Sequence, residues 1–179
     1  HSANLARARE LLAEAGLADG FEVKMTTRRQ GVFEAQAVWI QSALEPLGIR
    51  LPLDLQESAA FFDTLNSGNF DIAPYARTID VNDPSAVFGG IHACDSALNY
   101  SHACASQLEE LLAADLAATS DEERQAIAAK MNEVVLGEFG EIPLFWRDRF
   151  LPVSRKVHNV VLHPSPDNNR RFDTVWMER

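Results

Sequence analysis

Between Phe21 and Ala76 the apolar residues alternate between a two-residue period and a helical one, and this alternation limits the fold more than any other feature of the chain. Phe21, Val23 and Met25 alternate with Glu22 and Lys24, which predicts a strand. Gly31 then precedes a helix carrying Phe33, Ala37, Ile40, Leu44 and Leu47 on one face, weakened and ended by Pro46 and Gly48. Ile49, Leu51, Leu53 and Leu55 alternate with Arg50, Pro52, Asp54 and Gln56, a second strand that Pro52 places near an edge or a bulge because it has no N–H for a ladder. A short helix over residues 58–67, closed by Gly68, leads to a third strand over 70–75. Strand, helix, strand, helix, strand with short connections makes parallel, right-handed βαβ units, so the expected class is α/β with a βαβαβ core. Ligands of such sheets sit beyond the carboxyl ends of the strands. That rule puts Thr26 to Gln30, Glu57, and the segment 77–84 at one rim.

Additional helices surround this core. Asn4 is the expected N-cap of a first helix with Leu5, Ala8, Leu12 and Ala15 on one face and Gly16 as terminator. Leu108, Leu111, Leu112 and Leu116 mark another helix. A further one begins at Ser120, where Glu123 completes a capping box, with Ile127, Met131, Val134 and Val135 on its apolar face. Both are expected to pack on the core. Residues 142–146 and 157–162 read as strands on either side of a polar turn at Arg147, Asp148 and Arg149, and Trp39 and Trp146 read as packing residues. The last stretch, 164–179, is rich in Pro, Asn and Arg. Its Phe172, Val175 and Trp176 have too few local apolar partners for a core of their own and are expected to pack on something outside this sequence.

Composition removes several classes. With 46% apolar residues the chain folds, as one domain or as one lobe of something larger. Sixteen Lys plus Arg against 26 Asp plus Glu leave a formal charge of −10, and no basic cluster exceeds Arg28-Arg29 or Arg170-Arg171, so nucleic acid is not an expected partner. The acidity itself reads as solubility. No apolar run reaches the roughly 18–20 residues that cross a bilayer. The N-terminus lacks a signal-peptide pattern, and His1-Ser2 reads as an arbitrary start, with any export signal expected outside the sequence. No glycine-rich phosphate loop, G-x-G-x-x-G turn, G-x-S-x-G elbow or H-E-x-x-H helix occurs, so no catalytic residue and no cofactor is expected.

The polar signals are few. His92-Ala93-Cys94 and His102-Ala103-Cys104 form a near-repeat with three readings: zinc held by His92, Cys94, His102 and Cys104 in a small metal-stabilised domain or metal enzyme, two free thiols, or a disulfide. The spacing fits none of the common structural zinc patterns, and an even cysteine count close in sequence favours the disulfide. Asp80 lies at the mouth by topology, as ligand contact or as turn-former. Asp83, before Pro84, reads as the N-cap of a short helix over 85–88. Arg77, Arg28 and Arg29 at the same rim read equally as ligand contacts or as surface ion pairs.

Taken in order, Ala6-Arg7-Ala8-Arg9-Glu10-Leu11-Leu12-Ala13-Glu14-Ala15-Gly16, Gly20-Phe21, Ile40-Gln41, Gly48-Ile49, Gly68-Asn69-Phe70-Asp71, Asp83-Pro84, Asn99-Tyr100 and Ile142-Pro143-Leu144 resemble the C-terminal lobe of a family 5 extracellular solute-binding protein of an ABC importer, the dipeptide and oligopeptide group. The resemblance implies a periplasmic binding protein type II-like lobe over residues 1–163, with 164–179 returning to an N-terminal lobe that is missing here. It implies a non-enzymatic role: a di- or oligopeptide is held between two lobes and delivered to a membrane permease, in the periplasm or outside the cell, with a lipid anchor through the absent N-terminus as one option. Residue by residue it makes Asp80 the anchor of a ligand amine and joins Cys94 to Cys104 around Asn99 and Tyr100, whose loop shapes the pocket. Arg28 or Arg29 takes a ligand carboxylate. Arg77 stands where peptide binders usually carry an aromatic residue, which leaves a non-peptide solute such as haem, a nickel chelate or a glycoside as the alternative within the same fold.

Overall fold

The computed structural model describes residues 2–78, 81, 83–146, 148, 150–161 and 172–178. The chain divides into two compact units, His1–Ala76 and Arg77–Arg179.

In the first unit, β1 (Met25–Arg28) and β2 (Leu53–Gln56) pair in parallel, with Met25 opposite Leu53 and Arg28 opposite Gln56. Helix α2 (Gly31–Leu44) and a 3₁₀ turn at Glu45–Leu47 form the crossover between them. An isolated parallel bridge from Glu22 to Arg50 extends the alignment upstream, so both alternating runs are where the sequence predicts, with their ladders set toward the carboxyl ends. Met25, Ala37 and Leu51 are buried and packed by Val23, Ile40, Leu44, Ile49 and Leu53. These are the strand and helix faces expected from periodicity, and each large side chain fully buried stabilises the unit by roughly 1.5–3 kcal/mol. Helix α3 (Ser58–Asn66) adds buried Phe61 and Leu65, and both α2 and α3 lie against β1.

The third strand does not form. Only Ile72 joins the sheet, through a parallel bridge to Met25. The Thr26 N–H donates to the Ile72 carbonyl at 2.9 Å, and the Ile72 N–H to the Lys24 carbonyl at 3.3 Å. A longer ladder would next use the Lys24 N–H, but the Asp71 carboxylate accepts it at 3.2 Å. Downstream, Pro74 has no N–H to give. The parallel sheet is therefore small, with β1 between β2 and this one bridge.

Helix α1 (Ser2–Glu14) begins before Asn4, which lies inside it and is not its cap. The period starting at Leu5 marks where packing begins, and an exposed first turn needs no apolar residue. Gly16 ends the helix as expected: its N–H donates to Ala13 at 3.0 Å and that of Leu17 to Leu12 at 2.7 Å, the paired bonds of a Schellman closure. Gly20 is demanded by a close approach, since a Cβ there would lie 2.2 Å from the Gly48 carbonyl oxygen. Trp39 is exposed rather than packed. It sits on the face of α2 turned away from Phe33 and Ala37.

In the second unit, α4 (Pro84–His92), α5 (Ser106–Ala117) and α6 (Asp121–Gly137) pack on one another. Leu108, Ile127 and Met131 are buried, with Phe88, Leu111, Leu112, Val134 and Val135 around them. Ser120 caps α6, its hydroxyl accepting from the Glu123 N–H at 3.2 Å. Glu123 reaches back one residue further than a capping box requires, to the Thr119 N–H at 3.2 Å. Leu116, expected on the packed face of α5, is 82% exposed. The buried stripe runs 108, 111, 112, 115, and Asp115 holds the position beside it.

Residues 142–146 form no strand: Ile142 and Phe145 are exposed and Trp146 is 90% exposed, the reverse of the packing expected of it. Alternation alone makes no ladder without a partner strand. The run at 157–162 shortens to β3 (Val157–His158), antiparallel to β4 (Trp176–Met177), where Trp176 stacks on His158 at 4.2 Å. Arg147, Arg149 and residues 162–171 lie outside the described residues.

Candidate functional site

At the carboxyl end of β1 the first unit presents Arg28. Its guanidinium carbon sits 3.8 Å above the Phe33 ring, 5.4 Å from that of Phe62 and 5.6 Å from that of Phe61. A cation on an aromatic face is held without being neutralised. The buried Nε has no hydrogen-bond partner, and Arg28 makes no ion pair among the described residues. The sequence explains the cage: β1 delivers Arg28 at its end, while α2 and α3 each begin close by and place their first aromatic residues around it. Arg29 differs. It is exposed and pairs with Glu57 across the β1 and β2 ends at 3.3 Å, an arrangement contributing little to stability. An open cleft lined by Glu22, Gln41, Glu45 and Arg50 lies at the opposite, amino-terminal end of these strands and includes neither arginine.

The second unit opens with Arg77, whose side chain is 18% exposed. Its Nε donates to both oxygens of Glu141, at 3.1 and 3.3 Å, and its Nη2 to Glu141 again and to the Leu98 carbonyl at 3.0 Å. The Tyr100 ring lies 5.4 Å from the guanidinium carbon. Arg77 thus ties the segment at 141 to the loop at 98–100, and its charge is met by a carboxylate from within the unit.

That loop is closed by the Cys94–Cys104 disulfide. With both sulfurs bonded to each other, the zinc reading of His92, Cys94, His102 and Cys104 loses two of its four ligands. Asn99 is buried at the loop's centre. Its amide donates to the carbonyls of Ala93 at 3.1 Å and Ala103 at 2.8 Å, and its oxygen accepts from Ser101 at 2.9 Å. The side chain fixes the loop from inside. Gly140 lets the following segment dock there, since a Cβ would come within 2.7 Å of the Ser101 hydroxyl. Between them is a cavity of about 20 Å3 lined by His92, Asn99, Ser101 and Glu141 among others, room for one water and far below the roughly 300 Å3 of a small-molecule site. Burial pushes the pKa of His92 down, against the raising effect of Glu141, and Arg77 lowers it further.

A second polar network lies at the start of α4. Asp83 caps that helix, accepting from the Ala86 N–H at 3.2 Å, as its place before Pro84 predicts. Its other oxygen accepts from Arg124 at 2.9 Å. Arg124 also binds Asp115 through Nε at 3.1 Å and Nη2 at 2.8 Å, and Ser85 donates to Asp115 too. Asp115 has no exposed side-chain surface. The hydrogen bonds from Arg124 hold the pKa values of both carboxyls below the ordinary range, and those two acids raise that of the guanidinium.

Asp80 lies outside the described residues. Of the other expected site residues, Arg77, Asn99 and Tyr100 come together in the second unit, and Arg28 and Arg29 adjoin in the first. The sequence reading missed Glu141, Asp115 and Arg124. A signal existed for the last two: Asp115 follows Leu108, Leu111 and Leu112 on the buried stripe of α5, and Arg124 precedes Ile127 and Met131 on that of α6. A charge on a packed helix face calls for a partner.

Known proteins bear on these features. The family described as bacterial extracellular solute-binding proteins, family 5, middle region, matches residues 1–99. The periplasmic oligopeptide-binding protein OppA of Salmonella typhimurium is 27% identical over 146 residues, which cover 78% of this chain and 26% of that protein. Among solved structures, OppA of Burkholderia pseudomallei superposes with a TM-score of 0.86 at 22% identity, over 99% of this chain and 35% of that one. The Helicobacter pylori periplasmic binding protein DppA, in complex with the peptide STSA, superposes with a TM-score of 0.82 at 23% identity, over 97% and 34% respectively. At that identity the structural likeness shows the fold, a mixed α/β one. The chain spans about a quarter of the curated relative's length and about a third of these two structures. With more than half of its residues matched by the family profile, the chain belongs to the bacterial extracellular solute-binding proteins of family 5.

Proposed function

We propose that this chain is part of the capture component of an ABC importer, a non-enzymatic protein that holds a di- or oligopeptide between two lobes and hands it to a membrane permease. Family membership supports solute binding, and the relatives named for oligopeptides or bound to a peptide support the peptide. The observation that carries the reading is Arg28: a cation caged by Phe33, Phe61 and Phe62 at the end of a parallel strand, with a buried Nε that has no hydrogen-bond partner among the described residues. Such a group suits a carboxylate, which supplies the missing acceptors in a charge-assisted pair. Arg28, rather than the Glu57-paired Arg29, is the carboxylate anchor. Asp80 anchors the ligand's amine. Tyr100 and Asn99 shape the loop closed by the disulfide, and Arg77, engaged by Glu141, supports that loop as a second rim charge.

The rest of the protein, an N-terminal lobe, covers what this chain leaves open. The stretch 164–179 returns to it even though Trp176 and Met177 pair with β3 on the way, and the exposed apolar side chains of Ile142, Phe145, Trp146 and Phe150 are buried by it. The site of action is the periplasm or the cell exterior, in keeping with the relatives described as periplasmic.

Native mass spectrometry of the full-length parent, purified gently from its own cells, tests the substrate class. A set of peptide masses is expected; a single non-peptide mass would replace the peptide by another solute. In the same protein, Asp80→Ala is expected to weaken binding of free-amine peptides by roughly 2–5 kcal/mol, and Arg28→Met to weaken binding of free-carboxylate peptides by a similar amount. Unchanged affinities would remove the corresponding anchor.

A further inference from the structure

Beside Arg28 the first unit carries aromatic surface that its core does not consume. Phe33 and Phe61 are buried, whereas Phe62 is only half-buried, although its ring centre lies 5.4 Å from the guanidinium carbon. The Phe62 ring stands edge-on to two others, Phe61 at 5.7 Å and Tyr75 at 6.2 Å, separations at which aromatic pairs attract. Tyr75 is half-buried as well. Counted onward from the parallel bridge of Met25 with Ile72, Tyr75 is the residue in register with Arg28. The polar side chains at these strand ends are engaged with one another: Gln30 donates to Ser58 at 3.3 Å, Arg29 pairs with Glu57 at 3.3 Å, and Gln56 donates to Asp54 at 2.8 Å while accepting from Thr64 at 2.9 Å. What the described residues offer beside Arg28 is therefore ring surface. We propose that Phe62 and Tyr75 receive the side chain of the ligand's carboxyl-terminal residue, so that the protein selects peptides ending in a large apolar or aromatic residue.

The carboxylate and the side chain of a terminal residue branch from one carbon. Seating the first on Arg28 lays the second on the surface next to the guanidinium, which is Phe62 with Tyr75 beyond it. A large apolar side chain there removes both its own surface and that of the rings from water, and an aromatic one adds ring-to-ring contact. A glycine end leaves the rings wet, and a lysine end sets a second cation beside Arg28, where like charges repel. The wall is formed before the ligand arrives: Phe62 is braced by Phe61, which is fully buried in α3, and by Tyr75, so little freedom is lost on binding. Core packing accounts for Phe61 but not for two half-exposed rings kept at the cation.

The inference rests on Arg28 being the carboxylate anchor, and the experiment separates the two. In the full-length protein, calorimetric affinities are compared for the tripeptides Ala-Ala-Phe, Ala-Ala-Gly and Ala-Ala-Lys and for the carboxyl-terminal amide of Ala-Ala-Phe. The wild type is expected to bind the phenylalanine ending roughly 10- to 100-fold more tightly than the glycine ending, the lysine ending no better than glycine, and the amide more weakly than the acid. The ratio of phenylalanine to glycine endings is expected to fall about tenfold in Phe62→Ala and in Tyr75→Ala, and to survive in Tyr75→Phe, which keeps the ring. Equal affinity for the two endings in the wild type would overturn the wall without need of any variant. A ratio unchanged in both alanine variants would overturn it too, as would an equal loss for both endings, which marks the rings as mere support for Arg28. Loss of the ratio in Tyr75→Phe would overturn the role of that ring. An amide bound as tightly as the acid would instead overturn Arg28 as carboxylate anchor, and failure of all four to bind would overturn the peptide reading itself.

Discussion

The two units hold their candidate ligand contacts by different means. Around Arg28 the first unit relies on burial: Phe33, Phe61, Leu65, Met25 and Ala37 have lost nearly all exposure, and the cation stands on aromatic faces. Around Arg77 and Asp83 the second unit relies on polar and covalent links: a disulfide, an Asn99 amide shared among loop carbonyls, and two ion-paired arginines. The contrast teaches that a hydrophobic cage can hold a charge without pairing it, whereas a polar lattice uses its charges internally and contributes rigidity. The first kind should ignore acid and reductant; the second should not.

The comparison is tested most strongly by Phe61→Ala in the full-length protein. Loss of a buried ring is expected to destabilise the first unit by about 3–5 kcal/mol. Hydrogen exchange followed by mass spectrometry should show the loss of protection in β1, β2 and α3, with α5 and α6 unchanged. Equal loss in α5 and α6 would mean that the units are not stabilised separately.

Next in size is reduction of Cys94–Cys104, or its replacement by serines. Freeing a loop with a sequence separation of 10 should cost about 2–3 kcal/mol in the chain-entropy description. Raised exchange at 94–104 and in the adjoining helices is expected, with none at 25–28. A change in the first unit would erase the distinction.

Acid gives a smaller and graded effect. Asp83 and Asp115 titrate lower folded than unfolded, with the hydrogen bonds from Arg124 as the main cause. As the pH falls below the ordinary carboxylate value of 3.8 the unfolded chain takes up protons first, so stability present above that value is lost on the way down to the folded values. His92 adds an earlier slope of the same sign. Burial keeps it neutral below its ordinary 6.5, so the unfolded state binds its proton first. A chemical-denaturation series from pH 7 to pH 3, read by exchange, should show the second unit weakening first. His92→Gln should remove the part of the slope that begins below 6.5.

Smallest is Arg29→Ala, which breaks only the exposed pair with Glu57. A change within about 0.5 kcal/mol is expected in a urea titration. A much larger loss would show that the rim of the first unit depends on charge after all.

How much of this was legible in the sequence varies from element to element. The faces of α2 and α6, the closure at Gly16, and the caps at Ser120 and Asp83 all arose from residues within a few positions of one another, where spacing and local hydrogen bonding decide. The ordered landmarks, weak one by one, pointed to the family that the profile over residues 1–99 then established. For the candidate site, strand order put Arg28 and Arg29 together at the end of β1 without telling them apart, and the cysteine pair forms the disulfide that was expected. The partner of Arg77 was invisible because Glu141 is 64 residues away, and no local pattern connects them.

The sequence by itself determined which stretches become helices, several of their ends, as at Gly16, Ser120 and Asp83, and most of their apolar faces, because those properties follow from neighbours along the chain. Tertiary structure alone decided whether an alternating run finds a ladder, as 49–56 does and 70–75 and 142–146 do not, and whether an arginine is taken by a carboxylate, as Arg77 is, or held on aromatic rings with no acceptor for its Nε among the described residues, as Arg28 is. The reason is physical: a strand and an ion pair each need a partner brought from elsewhere in the chain, and a pattern of residue types says what a segment can offer but not what will stand opposite it.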